Sequence, residues 1–396
     1  MKKIYLTIGV AAVALLSLGI FSPALAFHDG GVAHCDGCHT MHNSEGGVSI
    51  IDGGTVGVAG DFLTKGSDPS STCLNCHATS TSAGGYHIFD YAGLGINQSP
   101  GGDFIWLTKE ITWTGRGSPR HGYNDGHSIV AADFGLAADP DITTTAPGGT
   151  FPAGSLACSS CHDPHGKVTS RPGTVVGSGS YGAADPVPGT EILGNYRLLA
   201  DTGYNPGNGP VTFTSAAPVA ATVPNGTPER NDAHTDYGSG MSEWCANCHT
   251  AFIDTTVGSH VHPAGNGDDL GGTIAGNYNL YVATGNLTGV AASSYLSLVP
   301  FERGTADRTT LDPTSTQGPT GSSNVMCLTC HRAHASAFPN IGRWDFSVGL
   351  LVESHPMTGD GGVTADDITA SYYGRDIATD FGPGQRSLCN KCHIQD

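Results

Sequence analysis

Cys35-Asp36-Gly37-Cys38-His39-Thr40-Met41-His42 decides how the rest of the chain is read. Two cysteines separated by two residues, then a histidine, form the attachment motif of c-type haem. The thiols make thioethers to the haem vinyl groups, and the histidine ring reaches the iron. The motif recurs at Cys73–His77, Cys158–His162, Cys245–His249, Cys327–His331 and Cys389–His393. Cys35, Cys38, Cys73, Cys76, Cys158, Cys161, Cys245, Cys248, Cys327, Cys330, Cys389 and Cys392 are all 12 cysteines of the chain. The sequence therefore predicts six haem c groups, with His39, His77, His162, His249, His331 and His393 as proximal iron ligands. A disulfide framework has no use for a histidine after every second cysteine. Six zinc sites would need further ligands from scattered partners.

Length and charge frame this reading. Residues 1–26 read as an export signal: Lys2 and Lys3, an apolar run from Ile4 to Phe21, then Ala24-Leu25-Ala26 as a cleavage site. No cysteine follows the run, so nothing suggests a lipid anchor. Removing Lys2 and Lys3 takes the formal net charge from -18 to -20, which disfavours nucleic acid and anionic lipid as partners. Charged residues are 13% of the chain, against about 25% in ordinary domains. Glycine, at 58 of 396 residues, is about twice as frequent as its usual share of ~7%. Such a chain lacks apolar side-chain mass, which the haems would supply. Residues 27–396 read as one hexahaem unit, mostly loop with few short helices and minimal strand, wrapped around a chain of six haems.

The intervening segments carry little periodicity. Residues 139–155, 172–190, 205–228 and 307–323 are rich in Pro, Gly and Thr and read as loop. Residues 104–113 suggest a strand or strand pair. Helix is expected only at the motifs and over Tyr278–Thr284. Trp106, Trp113, Trp244 and Trp344 are expected to pack against porphyrin rather than relay electrons. Arg116, Arg120, Arg197 and Arg343 are candidates for haem propionates or for solvated surface. Residues 358–367 faintly resemble a calcium loop, but the ligand spacing is wrong.

The histidines set the ligation. Of 18, six are proximal and twelve remain, while methionine has no repeated context. Bis-histidine ligation follows, with low potentials. The first, third and fifth motifs carry a further histidine three residues on: His42, His165 and His334. This alternation suggests three two-haem modules. A histidine at that spacing lies on the same side of a turn as its neighbour. The sixth ligand must approach from the opposite porphyrin face, so each of these should ligate a different haem. His87, His127 and His262 complete six distal candidates, with His28 as a seventh. His34, His121, His234, His260 and His355 are treated as spare.

Beyond the motifs, Phe27-His28, Gly30-Gly31-Val32-Ala33 and the Thr40-Met41-His42-Asn43-Ser44 that follows the first motif resemble the OmcS-like hexahaem cytochromes, the extracellular cytochrome nanowire family. So do Cys158–Gly166, Gly240–Thr250, His331-Arg332-Ala333-His334-Ala335, Tyr372–Arg375 and Cys389–His393. The resemblance spans essentially the whole chain after residue 26. It implies a bis-histidine haem chain, loop structure, and copies of the chain joined end to end. It also implies that His42 ligates the haem held by His331 of a neighbouring copy. The expected role is a non-catalytic electron conduit in an extracellular filament, exchanging electrons with other redox proteins and external acceptors such as Fe(III) oxides. The competing readings are a soluble periplasmic shuttle and a multihaem reductase. The reductase would need an iron with an open position.

Overall fold

The computed structural model describes residues 35–394 apart from 45–47, 52–56, 59–60, 79–86, 91–98, 114–118, 167–172, 176, 179–186, 208, 224–228 and 254–261. The export signal, His28, His34, His260 and Arg116 lie outside the described residues.

Most of the described chain is loop. The helices are short: α1 Cys35–Cys38, α2 Pro69–His77, α3 Cys158–Cys161, α4 Met241–Cys245, α5 Gly271–Leu280, α6 Cys327–Cys330, α7 Ala365–Ser371 and α8 Ile377–Asp380. Five of the six motifs thus begin or end on a helical turn, and the sixth lies on a 3-10 turn, Leu388–Lys391. At α2 the start is explicit: Asp68 caps the Ser71 amide and Pro69 occupies the first turn. The strands form three two-stranded pieces: β1 Glu110–Thr112 with β2 Pro119–His121, β3 Thr174–Val175 with β4 Glu191–Ile192, and β5 Val219–Thr222 with β6 Thr235–Ser239.

Two sequence expectations shift. Within 104–113 only β1 is strand; Phe104–Thr108 is a 3-10 turn, because Asp103 accepts from the Ile105 amide and curls the chain there. The helix expected at Tyr278–Thr284 instead runs Gly271–Leu280, and Tyr281 is already extended. Three glycines hide it from propensity. Burial of Ala275 and Tyr278 in the core holds it.

One local structure occurs three times. His39, His162 and His331 bridge to Thr64, Leu199 and Gly342. In each case the two residues just before the bridge partner are left-handed: Phe62-Leu63, Arg197-Leu198 and Asn340-Ile341, with φ between 48° and 60°. The amide after each bridge partner then donates to the second motif cysteine: Lys65 to Cys38, Ala200 to Cys161 and Arg343 to Cys330. Non-glycine residues visit this region at a cost, so three consecutive pairs mark a constrained device.

The motifs also pack on one another. Helix α2 packs on α3, where the Cys158 amide donates to Ser70 Oγ at 3.1 Å. Helix α4 packs on α6, where the Cys327 amide donates to Ser242 Oγ at 3.1 Å. The apolar core gathers Trp106, Trp344, Tyr278, Phe301, Leu298 and Phe338 beneath these turns. Trp106 and Trp344 are core residues; Trp244 anchors its indole N–H on the Ala200 carbonyl at 2.8 Å.

A charged cluster lies in the same interior. Glu229 pairs with Arg332 at 2.7 Å and Arg343 at 3.0 Å, and all three are buried. Arg343 also donates to the Leu328 and His331 carbonyls, so it braces the fifth motif from below rather than lying on the surface. Burial alone would raise the Glu229 carboxyl, but Arg332, Arg343 and Arg375 outweigh it and hold it down at about 2. The folded value lies below the unfolded one. The contribution is therefore complete above pH ~4.5 and is lost as pH falls from there toward 2. Glu229→Gln should cost about 3–5 kcal/mol, since it strands buried guanidinium groups. Guanidinium denaturation followed by circular dichroism in the haem absorption region checks this.

Candidate haem-binding site

An imidazole ligates iron through an unprotonated nitrogen, so its other nitrogen must carry the proton and be held. Four of the six motif histidines meet this condition through backbone carbonyls. Nδ1 of His39 donates to Phe62 O at 3.0 Å, His162 to Arg197 O at 2.9 Å, and His331 to Asn340 O at 2.8 Å. These three acceptors are the first residues of the left-handed pairs. His249 donates to Pro147 O at 2.7 Å. The non-motif histidines are held alike: His127 on Ala333 O at 2.6 Å, His334 on Gly102 O at 3.1 Å, and His262 on Pro263 O at 2.8 Å. In every case Nε2 is left to point away from its anchor.

The rings then face one another in pairs. A metal–imidazole bond is about 2 Å, so two rings on opposite sides of one iron have centroids about 6 Å apart. His39 and His165 have centroids 6.5 Å apart, with planes 5° from parallel. His162 and His334 are 6.3 Å apart, His249 and His127 5.9 Å, and His393 and His262 6.1 Å. His77 and His87 are coupled electrostatically: burial lowers the His87 pKa and His77 lowers it further. The buried His87 Nδ1 has no protein partner. Around His331 the facing ring is Phe346, edge-on at 6.0 Å; His249 lies within electrostatic reach, but no second imidazole faces His331 among the described residues. His42 is exposed.

Burial keeps several of these rings neutral. It pushes His334 down to about 3, and the facing His162 adds to it. It pushes His162 and His127 down to about 4. The described cysteines are free of disulfides. Paired imidazoles at iron-spanning distance, beside cysteines free of disulfides, fit bound haem c.

The thiols also order the motifs. Each motif lies within electrostatic reach of the next: Cys38 of Cys76, Cys73 of Cys158, Cys161 of Cys248, Cys245 of Cys327, and Cys330 of Cys389 and Cys392. The contacts alternate. The first cysteines meet between motifs 2 and 3 and between 4 and 5, where the thiols are hydrogen-bonded. The second cysteines meet between 1 and 2 and between 3 and 4, while between 5 and 6 Cys330 faces both Cys389 and Cys392.

The other histidines are engaged elsewhere. His234 sits between the Thr235 and Ser315 carbonyls. His355 bonds Asp360 at 2.6 Å and stacks on Trp113. His121 stacks on Tyr123. Asp360 and Asp367 of the 358–367 loop hold His355 and cap α7, and no group of three or more His, Cys, Asp or Glu side chains that could hold a metal ion occurs among the described residues.

Six attachment motifs in consecutive contact, with paired imidazoles between them, define a multihaem c-type cytochrome. Comparison with known proteins agrees. The chain is 44% identical over 436 aligned residues, covering all of both chains, to the C-type cytochrome OmcS of Geobacter sulfurreducens, and it belongs to that family. Two solved structures superpose on it: the cryo-EM structure of OmcS nanowires from that organism, TM-score 0.82, and an OmcS filament, TM-score 0.80. Both are 42% identical and cover 93% of this chain and all of the matched chain. No protein-family model matches the chain.

Sequence reasoning missed the carbonyl anchors. The anchor lies 23, 35 and 9 residues after its histidine in the three repeats, so no fixed spacing reveals it. Gly149 supports another: a Cβ there would overlap the Cys248 carbonyl oxygen, and its loop supplies Pro147 O to His249. Gly149→Ala should destabilise by about 1–3 kcal/mol through overpacking. Gly154→Ala, with open space around it, should be neutral. Thermal unfolding of the two variants checks the contrast.

Proposed function

We propose that the chain is a non-catalytic electron conduit: one subunit of an extracellular cytochrome filament that carries respiratory electrons through six bis-histidine haems to external acceptors. The observation that carries this reading is the set of facing imidazole pairs, each joining a motif histidine to a non-motif histidine. In this reading His39 is paired with His165, His77 with His87, His162 with His334, His249 with His127, and His393 with His262. With both axial positions filled, no iron is open to substrate, which disfavours a reductase. Bound haem c supplies a one-electron couple. The chain's residues fix its ligation, and they keep consecutive motifs adjacent so that no gap interrupts the path. Residues 1–26 are removed on export, and 27–396 act as one unit. Among the described residues no helix is long and apolar enough to cross a membrane.

The polymer follows from the series of ligands. The i+3 histidine of motif 3 faces motif 1, and that of motif 5 faces motif 3. Continued one step, the series calls on His42 of motif 1 to face His331 of motif 5. His42 is exposed and, among the described residues, no imidazole faces His331, so in this reading the partner is a second copy. Exposed apolar residues around motif 1 support docking there: Met41 at 72% and Phe62 at 85% exposure, with Leu63 beside them. OmcS itself forms nanowires.

Two outcomes test the reading. The oxidised protein should show only low-spin ferric signals by electron paramagnetic resonance; a stoichiometric high-spin haem would overturn bis-histidine ligation. His42→Ala should retain six covalent haems, turn one partly high-spin, and shorten or abolish filaments under the electron microscope. Normal filaments with six low-spin haems would remove His42 from the interface.

A further inference from the structure

Below motifs 4 and 5 lies a group of oxygen atoms that the haem reading does not use. Glu302 is wholly buried; its Oε1 accepts from the Met241 amide at 2.7 Å, and its Oε2 has no partner. Glu243, two residues further along α4, directs Oε1 to the Asn266 amide at 2.6 Å and keeps an enclosed Oε2 without a partner. Asn324 is 2% exposed, and its Oδ1 is also without a partner. Glu302 and Asn324 exchange both backbone hydrogen bonds, each at 2.9 Å. In such an antiparallel pair the two side chains project from the same face. Gly265, next to the Asn266 that holds Glu243, donates to Val325 O. The three side chains therefore converge between segments 241–243, 265–266, 302 and 324–325.

No cation of the described chain balances them. Neither Glu243 nor Glu302 makes an ion pair, and Arg303, the next residue, is turned to Asp236 at 2.7 Å. Burial pushes the Glu302 carboxyl up to about 7, with the Glu243 charge adding to it. Orphaned buried acceptors of this kind are costly unless something fills them. No donor of the described residues reaches these three oxygens, and two carboxylates with an amide oxygen are hard ligands.

We propose that Glu243, Glu302 and Asn324 bind a calcium ion, with water completing the shell. Three protein oxygens from separate segments, in a buried and irregular setting, suit calcium better than the strict octahedron of magnesium. The ion joins the segment preceding motif 5 to the helix that carries motif 4. It thereby locks the α4–α6 contact in which the Cys245 and Cys327 thiols meet.

The test uses haem-loaded protein stripped with a calcium chelator. Radioactive calcium is measured by equilibrium dialysis at moderate ionic strength with excess magnesium, so that the acidic surface does not contribute. Wild type should bind one ion more per chain than Glu302→Gln, with unchanged haem absorption in both. Glu243→Gln should weaken binding by at least about tenfold, the loss that even an outer-sphere partner causes. Asn324→Asp adds a charge and should tighten it. If Glu302→Gln fails to fold, the other two variants decide. Equal binding in wild type and the Glu variants, or an Asn324→Asp affinity no tighter than wild type, overturns the proposal. So does a site that prefers magnesium.

Discussion

A hydrogen bond from imidazole Nδ1 to a backbone carbonyl is the interaction on which this architecture rests. It fixes the tautomer, turns the ring and leaves Nε2 as a directed lone pair. Carbonyls are well suited to this: they belong to backbone that is itself bridged to the motif, so ring and anchor move as one body. The left-handed pairs at Phe62-Leu63, Arg197-Leu198 and Asn340-Ile341 are the cost of aiming a carbonyl backwards at the motif. The bridge at the next residue and the amide bond to the second cysteine offset it.

The scarcity of regular structure follows from the same demand. A helix or sheet presents side chains at fixed periods, whereas each iron needs two rings from distant parts of the chain. His127 reaches His249 from a loop that begins before motif 3, and His334 reaches back to His162. Loops of arbitrary length make such crossings, and glycine permits their close approaches. The charged interior has a related purpose. Glu229, Arg332 and Arg343 tie residues far apart in sequence beneath motif 5, where few apolar side chains are available.

How much was legible depended on whether a residue acts through covalent chemistry or through backbone direction. The motif cysteines and histidines announce themselves by spacing. The i+3 histidines could be assigned away from their own haems because a helical turn cannot serve both porphyrin faces. His165 and His334 do face distant motif histidines. The carbonyl anchors were not legible, because any residue supplies a carbonyl and the three spacings differ. The α5 helix was misplaced because its glycines conceal a segment held by the burial of Tyr278 rather than by propensity. Arg343 read as a propionate partner or a solvated surface cation; only the fold reveals Glu229 facing it.

The alternation of contacts gives the molecule a direction. The i+3 histidine always reaches back by two motifs, from 3 to 1 and from 5 to 3, so the relation is a translation along the series rather than an exchange. A repeated translation does not close on itself: in the proposed reading it leaves an unused donor at one end, His42, and an unused acceptor at the other, His331. An isologous dimer would have to bring both ends together in opposite senses. A head-to-tail contact satisfies each end with the other and regenerates the same pair of open ends on every addition. On the proposed reading the rule that joins motif to motif within the chain is also the rule that joins chain to chain, and polymer growth would then need no separate recognition code.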